Sequence, residues 1–281
     1  MAIDKYNAIW VSHSSMGDYL KCPRSYFLKN VYKDPQTKKK IAIANPALSL
    51  GQVVHRVVEN LKNFRAEDRF SRDLVKDFEV AWQAVSGEKG GFMSAKEEKE
   101  ARSRGRSMIE RVIKHPGPLD QKTVKIKDGQ NGMPPNFVLS EEDQIILCGR
   151  IDWLQYVAEN DSVRILDFKT GKSDEREDSL QLPIYLLLVN ALQKRTVSGA
   201  SYWYLDREDR PKDVVLPKAE ESREKVLKTA KEVKKAREIG IFECPKGKGG
   251  CFNCEPYEKI LRGDAKFLGQ GEYGQMIFLV N

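Results

Sequence analysis

The stretch GRIDWLQYVAENDSVRILDFKT, residues 149–170, restricts the possible folds of this chain more than any other. Two apolar, strand-like runs flank VAENDS, a composition that makes turns, so the stretch predicts an antiparallel hairpin. A turn centred on Glu159–Asn160 sets Asp152 opposite Asp167, with Cβ atoms ~5 Å apart. Two carboxylates that close repel each other unless a proton or a cation lies between them, and burying either in apolar surroundings is costly. A divalent ion suits the pair, because Mg²⁺ takes hard oxygen ligands and is held by one or two carboxylates. Period-two alternation puts Ile165, Asp167 and Lys169 on one face of the second strand. Lys169 then stands beside the metal, where its ammonium can orient a water or hold a phosphate. The ion would lower the pKa of that water and stabilise charge on the phosphate. A D-x-K triplet alone is short and common, and a half-exposed hairpin with ordinary surface acids is the competing account.

The rest of the chain supplies a frame for this hairpin. VSHSSMGDYLKCPRSYFLKNV reads as a helix begun by a serine cap, a break at Cys22–Pro23, and a second short helix. In NPALSLGQVVHRVVENLKNF, Asn45 is a capping residue and Pro46 fits the first turn. Leu50, Val54, Val57, Val58 and Leu61 make its apolar stripe. Helices follow over roughly 67–85 and 94–114, the second with a charged, solvated face. HPGPLD and DGQNGMPP are breakers. KTVKIK, NFVLS, QIILCGRIDWLQYV and SVRILDFKT then read as strands. EDSLQLPIYLLLVNAL reads as a buried helix, GASYWYL as a strand, and residues 219–238 as an amphipathic helix. The tail CPKGKGGCFNCEPYEKIL is too rich in Gly and Cys for a simple helix or strand. This order predicts an α/β (α+β) fold, a mixed β-sheet core flanked by helices, in one domain over 1–281. A helical part spans about 1–115, the sheet core about 120–215, and a helix with a Cys-rich tail about 219–262.

Bulk properties remove several classes of function. The 281 residues carry 48 Lys and Arg against 41 Asp and Glu, a net charge of +7 that favours an anionic partner, nucleic acid first. The first residues lack the apolar core of a signal peptide, and the longest apolar run, LPIYLLLV, is too short to span a bilayer. A cytoplasmic protein with no membrane partner is expected. Five cysteines in such a chain argue against a disulfide scaffold and for metal or cluster ligation.

Weaker signals point the same way. His55 lies in GQVVHRVV with Gly51 one turn earlier on the same face, leaving room for backbone or ligand to approach. A lone helical histidine is more often packed than ligating. Gln181 and Tyr185 stand four apart on one helix face, where a Gln–Tyr pair can hydrogen-bond a phosphate or base, or Tyr185 can simply pack.

Taken together, GQVVH with His55, GRID with Asp152, LDFKTGK with Asp167 and Lys169, and QLPIY with Gln181 and Tyr185 resemble the PD-(D/E)xK nuclease superfamily. The best match is to its RecB-type branch, which includes CRISPR-associated adaptation exonucleases and AddB-type recombination nucleases. The resemblance runs from about residue 12 to 262. It implies a restriction-endonuclease-like sheet flanked by helices. It implies Mg²⁺ or Mn²⁺ held by His55, Asp152, Asp167 and the backbone carbonyl of Phe168, with Lys169 as the catalytic lysine. Gln181 and Tyr185 would help to place DNA. The reaction would be phosphodiester hydrolysis by a metal-activated water.

Cys244, Cys251 and Cys254 follow a C-x6-C-x2-C spacing, and the intervening glycines free the loop to wrap sulfurs. Cys22 is the candidate fourth ligand, and the resembling cluster-bearing nucleases also place one cysteine early and three late. A [4Fe–4S] cluster is the leading reading, with Zn²⁺ as the alternative. In the resembling family the close cysteine pair comes first, whereas here it comes last. Cys148 is expected to be a small buried residue. The implied substrate is DNA, single-stranded or at duplex ends, with recombination or CRISPR adaptation proteins as partners. The competing function is a non-catalytic DNA-binding or docking module on the same fold.

Overall fold

A computed structural model describes residues 7–129 and 132–280. Gln130 and Asn131 of the expected breaker, and Met1–Tyr6 of the sequence's opening, lie outside the described residues. The chain starts with β1 (Ile9–Val11), α1 (His13–Lys21) and α2 (Pro23–Tyr26), which runs on into a π-helical turn over Phe27–Val31. Ser12 caps α1 reciprocally: its hydroxyl accepts from the Ser15 amide, and the Ser15 hydroxyl accepts from the Ser12 amide. The expected break falls at Cys22, whose backbone is extended, and Pro23 restarts the helix where its missing N–H costs nothing.

After β2 (Ile41–Ile43) comes α3 (Pro46–Asn60), where Asn45 Oδ1 accepts from the amides of Ala47 and Leu48. The helix expected over 67–85 is divided. A 3₁₀ turn covers Ala66–Ser71, and α4 (Leu74–Trp82) starts afresh because the Asp73 carboxylate caps the Lys76 amide. The long helix α5 (Ala95–Lys114) packs on both α3 and α4.

Next come β3 (Asn136–Ser140), β4 (Ile145–Cys148), β5 (Trp153–Val157), β6 (Ser162–Lys169), α6 (Gln181–Leu192), β7 (Val197–Tyr204), β8 (Lys212–Val214), α7 (Ala219–Ile239), α8 (Glu255–Arg262), β9 (Lys266–Gln270) and β10 (Met276–Leu279). The central sheet has the order β5-β6-β7-β8 and is mixed, with β6 and β7 parallel and joined through α6. Leu154, Val163, Ile165 and Ala200 pack on α6, α7 and α1. Trp153, Leu166, Phe168 and Trp203 pack on α3, α4 and α5. Helices thus cover both faces of the sheet, and burying each of those large side chains contributes roughly 1.5–3 kcal/mol. Pro183 sits in the first turn of α6, where no intrahelical hydrogen bond is lost.

Two strand expectations change. QIILCGRIDWLQYV is two strands in different sheets: β4 lies between β1 and β3, while β5 joins the central sheet. Gly149 is in the crossing segment, where a Cβ would stand 3.0 Å from the Leu188 side chain on α6. KTVKIK makes only one bridge, Thr123 to Gln155, flanked by hydrogen bonds from Val124 N to Leu154 O and from Tyr156 N to Lys122 O, both 2.9 Å. The third sheet, β2-β10-β9, was not anticipated; its strands are short and β9 is largely exposed. No helix among the described residues is long and apolar enough to cross a membrane.

Candidate metal-dependent active site

The hairpin register runs Trp153–Leu166, Leu154–Ile165, Gln155–Arg164, Tyr156–Val163 and Val157–Ser162. Its turn is a 3₁₀ turn over Ala158–Asn160, closed by Asp161 in the left-handed region at φ 49°. One further step in the same register places Asp152 opposite Asp167, as the sequence implies. Their residues are 7% and 2% exposed, so neither carboxylate is an ordinary surface acid. The Phe168 amide donates to Asp152 Oδ2 at 2.9 Å, which ties the first acid to the strand that bears the second.

Asp167 is held between α6 and Lys169. Gln181 Nε2 donates to its Oδ1 at 2.7 Å. The Lys169 ammonium lies 2.9 Å from Oδ2 but out of hydrogen-bond alignment, so this buried oxygen is paired in charge yet accepts no hydrogen bond. Burial, and then the charge of Asp152, push the Asp167 carboxyl up to about 7. Lys169 also donates to Gln181 Oε1 and, at 2.6 Å, to Glu175, with its Nζ 4.9 Å from the centre of the Tyr202 ring. Burial acts to lower its pKa, but Asp167 and Glu175 outweigh it and hold Lys169 above the ordinary value.

The other wall is α3. His55 Nδ1 is 3.1 Å from Glu59 Oε1 and 3.4 Å from Asp152 Oδ2. Burial opposes its charged form, yet Asp152 and Glu59 hold its pKa well above the usual imidazole range. A protonated His55 thus balances two carboxylates where a cation could. The room expected at Gly51 is taken by Thr170: a Cβ there would lie 3.1 Å from the Thr170 hydroxyl.

Donor atoms of His55, Glu59 and Asp152 lie within 4.8 Å of one another. One imidazole and two carboxylates make a donor set that fits a hard divalent ion, while Asp167 stands outside this group, its two oxygens facing Gln181 and Lys169. Glu59 was missed in the sequence, although its i, i+4 offset from His55 on a helix is a legible signal. Glu175 was missed as well, and its loop carries no pattern that marks it. Gln181 and Tyr185 are both buried, with Gln181 Nε2 3.2 Å from the Tyr185 hydroxyl; they face Asp167 and Lys169 from inside. The Phe168 side chain packs between His55 and Trp203.

A family model of the PD-(D/E)XK nuclease superfamily matches residues 10–259. The chain belongs to the PD-(D/E)XK nuclease superfamily. No curated protein matches it.

The nuclease carries a second candidate metal group. Sulfurs of Cys22, Cys244, Cys251 and Cys254 all lie within 4.8 Å of one another, with Cys251 and Cys254 3.8 Å apart. Cys22 comes from the α1–α2 junction and the other three from the tail that leads into α8, so the group joins the two ends of the matched region. Gly250 at φ 72° makes the approach possible, since a Cβ there would lie 3.3 Å from the Cys254 sulfur. The Ser25 hydroxyl donates to Asn253 O at 2.9 Å, and Arg24 makes a two-point contact with Glu258 at 2.5 and 3.2 Å. Burial pushes the Cys254 thiol up to about 12. Burial also opposes ionisation of Cys251, but the Cys254 and Asn253 amides and the neighbouring thiols lower its pKa to about 6. Four clustered sulfurs, two of them accepting from backbone amides (Ser25 N to Cys22 and Cys251 N to Cys254), fit a thiolate-bound metal. Cys148 stands apart, half-buried, with its thiol 3.4 Å from Val11 O.

Proposed function

We propose that this nuclease is a metal-dependent deoxyribonuclease, an exonuclease of the RecB-type branch, that hydrolyses phosphodiesters in the cytoplasm during recombination, repair or CRISPR spacer acquisition. The observation that carries this reading is the pair of buried acids, Asp152 and Asp167, with His55 3.4 Å from the first and Lys169 2.9 Å from the second. His55, Glu59, Asp152 and Asp167, with the Phe168 carbonyl, would hold Mg²⁺ or Mn²⁺. When bound, the ion supplies Lewis acidity, lowering the pKa of a water and offsetting charge on the phosphate.

The protein's own groups do the rest. Lys169, fixed by two acceptors, Glu175 and Gln181, and by its ion pair with Asp167, presents an ammonium to a phosphate oxygen or to the attacking water. Gln181 grips Asp167 with its amide nitrogen and Lys169 with its amide oxygen, so it sets the distance between acid and base. Tyr185 holds Gln181 in turn. Phe168 and Trp203 keep water from the back of the strand.

For the four cysteines we propose a [4Fe–4S] cluster, on the resemblance to cluster-bearing nucleases. A single tetrahedral Zn²⁺ is the second reading, favoured by the 3.8 Å spacing of Cys251 and Cys254, because Zn–S bonds of about 2.3 Å bring sulfurs about that close. Brown protein with iron and labile sulfide supports the cluster, and colourless protein with one zinc per chain overturns it. The test of activity is digestion of end-labelled single- and double-stranded DNA with Mg²⁺ or Mn²⁺, comparing wild type with Asp167→Ala and Lys169→Ala. Loss of cleavage in both variants is expected. Equal activity in all three proteins sinks the site, and release of internal fragments instead of terminal nucleotides sinks the exonuclease assignment.

A further inference from the structure

One surface feature meets the acid site at Asp152 and leads away from it. Beside Asp152 lies a narrow cleft of about 190 Å³, lined by Lys62, Lys125, Arg150 and the apolar side chains of Ile126 and Ile151. It shares Lys62, Asn63, Val124 and Lys125 with a broader, open groove of about 940 Å³ that reaches Lys122, Phe64, Arg65, Tyr156 and Arg195. The two form one trench that widens away from Asp152. The only carboxylates in its lining are Glu67, Asp128 and Asp152 itself, so cations dominate it.

The floor of the trench is the segment that reads as a strand in sequence but makes a single bridge. Thr123 pairs with Gln155 in antiparallel sense, and hydrogen bonds on either side fix Lys122 beside Tyr156 and Val124 beside Leu154. Continued in the same sense, the segment runs from Tyr156 at the open end toward Asp152 at the closed end. Lys122 and Lys125 are exposed on it. Arg150, Arg65, Arg195 and Lys62 each have a carboxylate partner, respectively Asp128, Glu67, Asp161 and Glu59. Lys122 and Lys125 have none among the described residues, and Lys125 reaches only Asn63 Oδ1 at 3.3 Å. Two aromatic rings stand along the groove, each with a guanidinium over it: Arg195 5.1 Å from the centre of Tyr156 and Arg72 4.3 Å from that of Phe64.

We propose that this trench is the path of one nucleic-acid strand into the active site, with Lys122 and Lys125 as its phosphate contacts and Tyr156 and Phe64 as its base contacts. This rests on the nuclease reading above. Unpaired ammoniums in a row satisfy a polyanion, and aromatic faces with nearby guanidiniums stack bases without regard to sequence. The narrowing toward Asp152 suits a single extended strand. Neither lysine makes a hydrogen bond or ion pair with His55, Glu59, Asp152, Asp167 or Lys169 among the described residues, so removing them acts on binding.

The test is fluorescence anisotropy of a labelled oligothymidylate with the full chain in EDTA, so that no cleavage occurs, over a series of salt concentrations. For the double variant Lys122→Ala, Lys125→Ala, affinity should fall roughly tenfold, and the slope of log affinity against log salt should shrink by about 1.4, the share of two single-strand phosphate contacts. Tyr156→Leu should weaken binding while leaving the salt slope unchanged, as expected for stacking. Unaltered affinity and slope in the double variant overturn the proposal. The two readings fail separately. If wild type cleaves nothing but the lysine variant still loses binding, the trench stands and the nuclease assignment falls. If cleavage is intact and the lysine variant binds normally, the trench alone falls.

Discussion

The acid site and the four-cysteine site are both candidate metal centres, yet the protein assembles them differently. The acid site is built from adjacent elements, α3, the β5–β6 hairpin and α6, and it is cross-tied by its own groups. The Phe168 amide holds Asp152, Gln181 spans Asp167 and Lys169, and His55 balances Asp152 and Glu59. The cysteine group draws Cys22 to a tail more than two hundred residues away, and the amides that donate to its sulfurs, Ser25 to Cys22 and Cys251 to Cys254, come from the same short segments as the cysteines themselves. Protein groups hold the first site together, and a metal there would act chemically. In the second, the metal would be the tie, closing a very long loop and so contributing to folding itself.

The comparison breaks most visibly in two substitutions. Asp167→Asn should cut cleavage by about 10²–10³-fold, the scale of one lost electrostatic contact in an active site. In EDTA its melting temperature should change little, because the relieved repulsion from Asp152 is offset by the lost ion pair with Lys169. A clear fall would show that Asp167 is structural. Cys254→Ser should do the reverse. It should release the metal and lower the melting temperature by about 10 °C, on the scale of roughly 3 kcal/mol, with differential scanning fluorimetry as the readout. An unchanged melting curve would mean that the tail does not depend on its metal.

Smaller effects sharpen the distinction. Glu59→Gln should raise the Mn²⁺ concentration needed for half-maximal cleavage about tenfold with little effect on stability, since it removes one ligand charge from a site otherwise held together. A metal titration with unchanged midpoint would remove Glu59 from the donor set. Arg24→Ala breaks the two-point contact with Glu258 beside the cysteines. These side chains keep about a third and a quarter of their exposure, and the expected cost is below about 1 kcal/mol, or about 2–4 °C. A larger drop would mean that Arg24 supports the cysteine loop beyond its ion pair.

Much of this is legible in the sequence. The hairpin register followed from one turn, because VAENDS fixes which residues face each other and a period of two fixes the faces. The caps at Ser12 and Asn45 and the break at Cys22–Pro23 are local signals, and local geometry obeys them. Glu59 lay within reach of the same reasoning. Glu175 did not, because it arrives from an irregular loop, and only the packing of that loop, with Tyr204 holding the Glu175 amide, brings it to Lys169.

The sequence by itself determined the hairpin, the buried acids with their lysine, and the thiol-rich tail, because each depends on neighbours a few positions apart. The tertiary structure alone decided which strand joined which sheet, since β4 and β5 are continuous in pattern but find different partners. It also decided the direction in which Gln181 and Tyr185 face. Helical spacing puts them on one side, but only the docking of α6 against β6 turns that side onto Asp167. Periodicity encodes faces, whereas the choice of what lies against each face is made by burial summed over the whole chain.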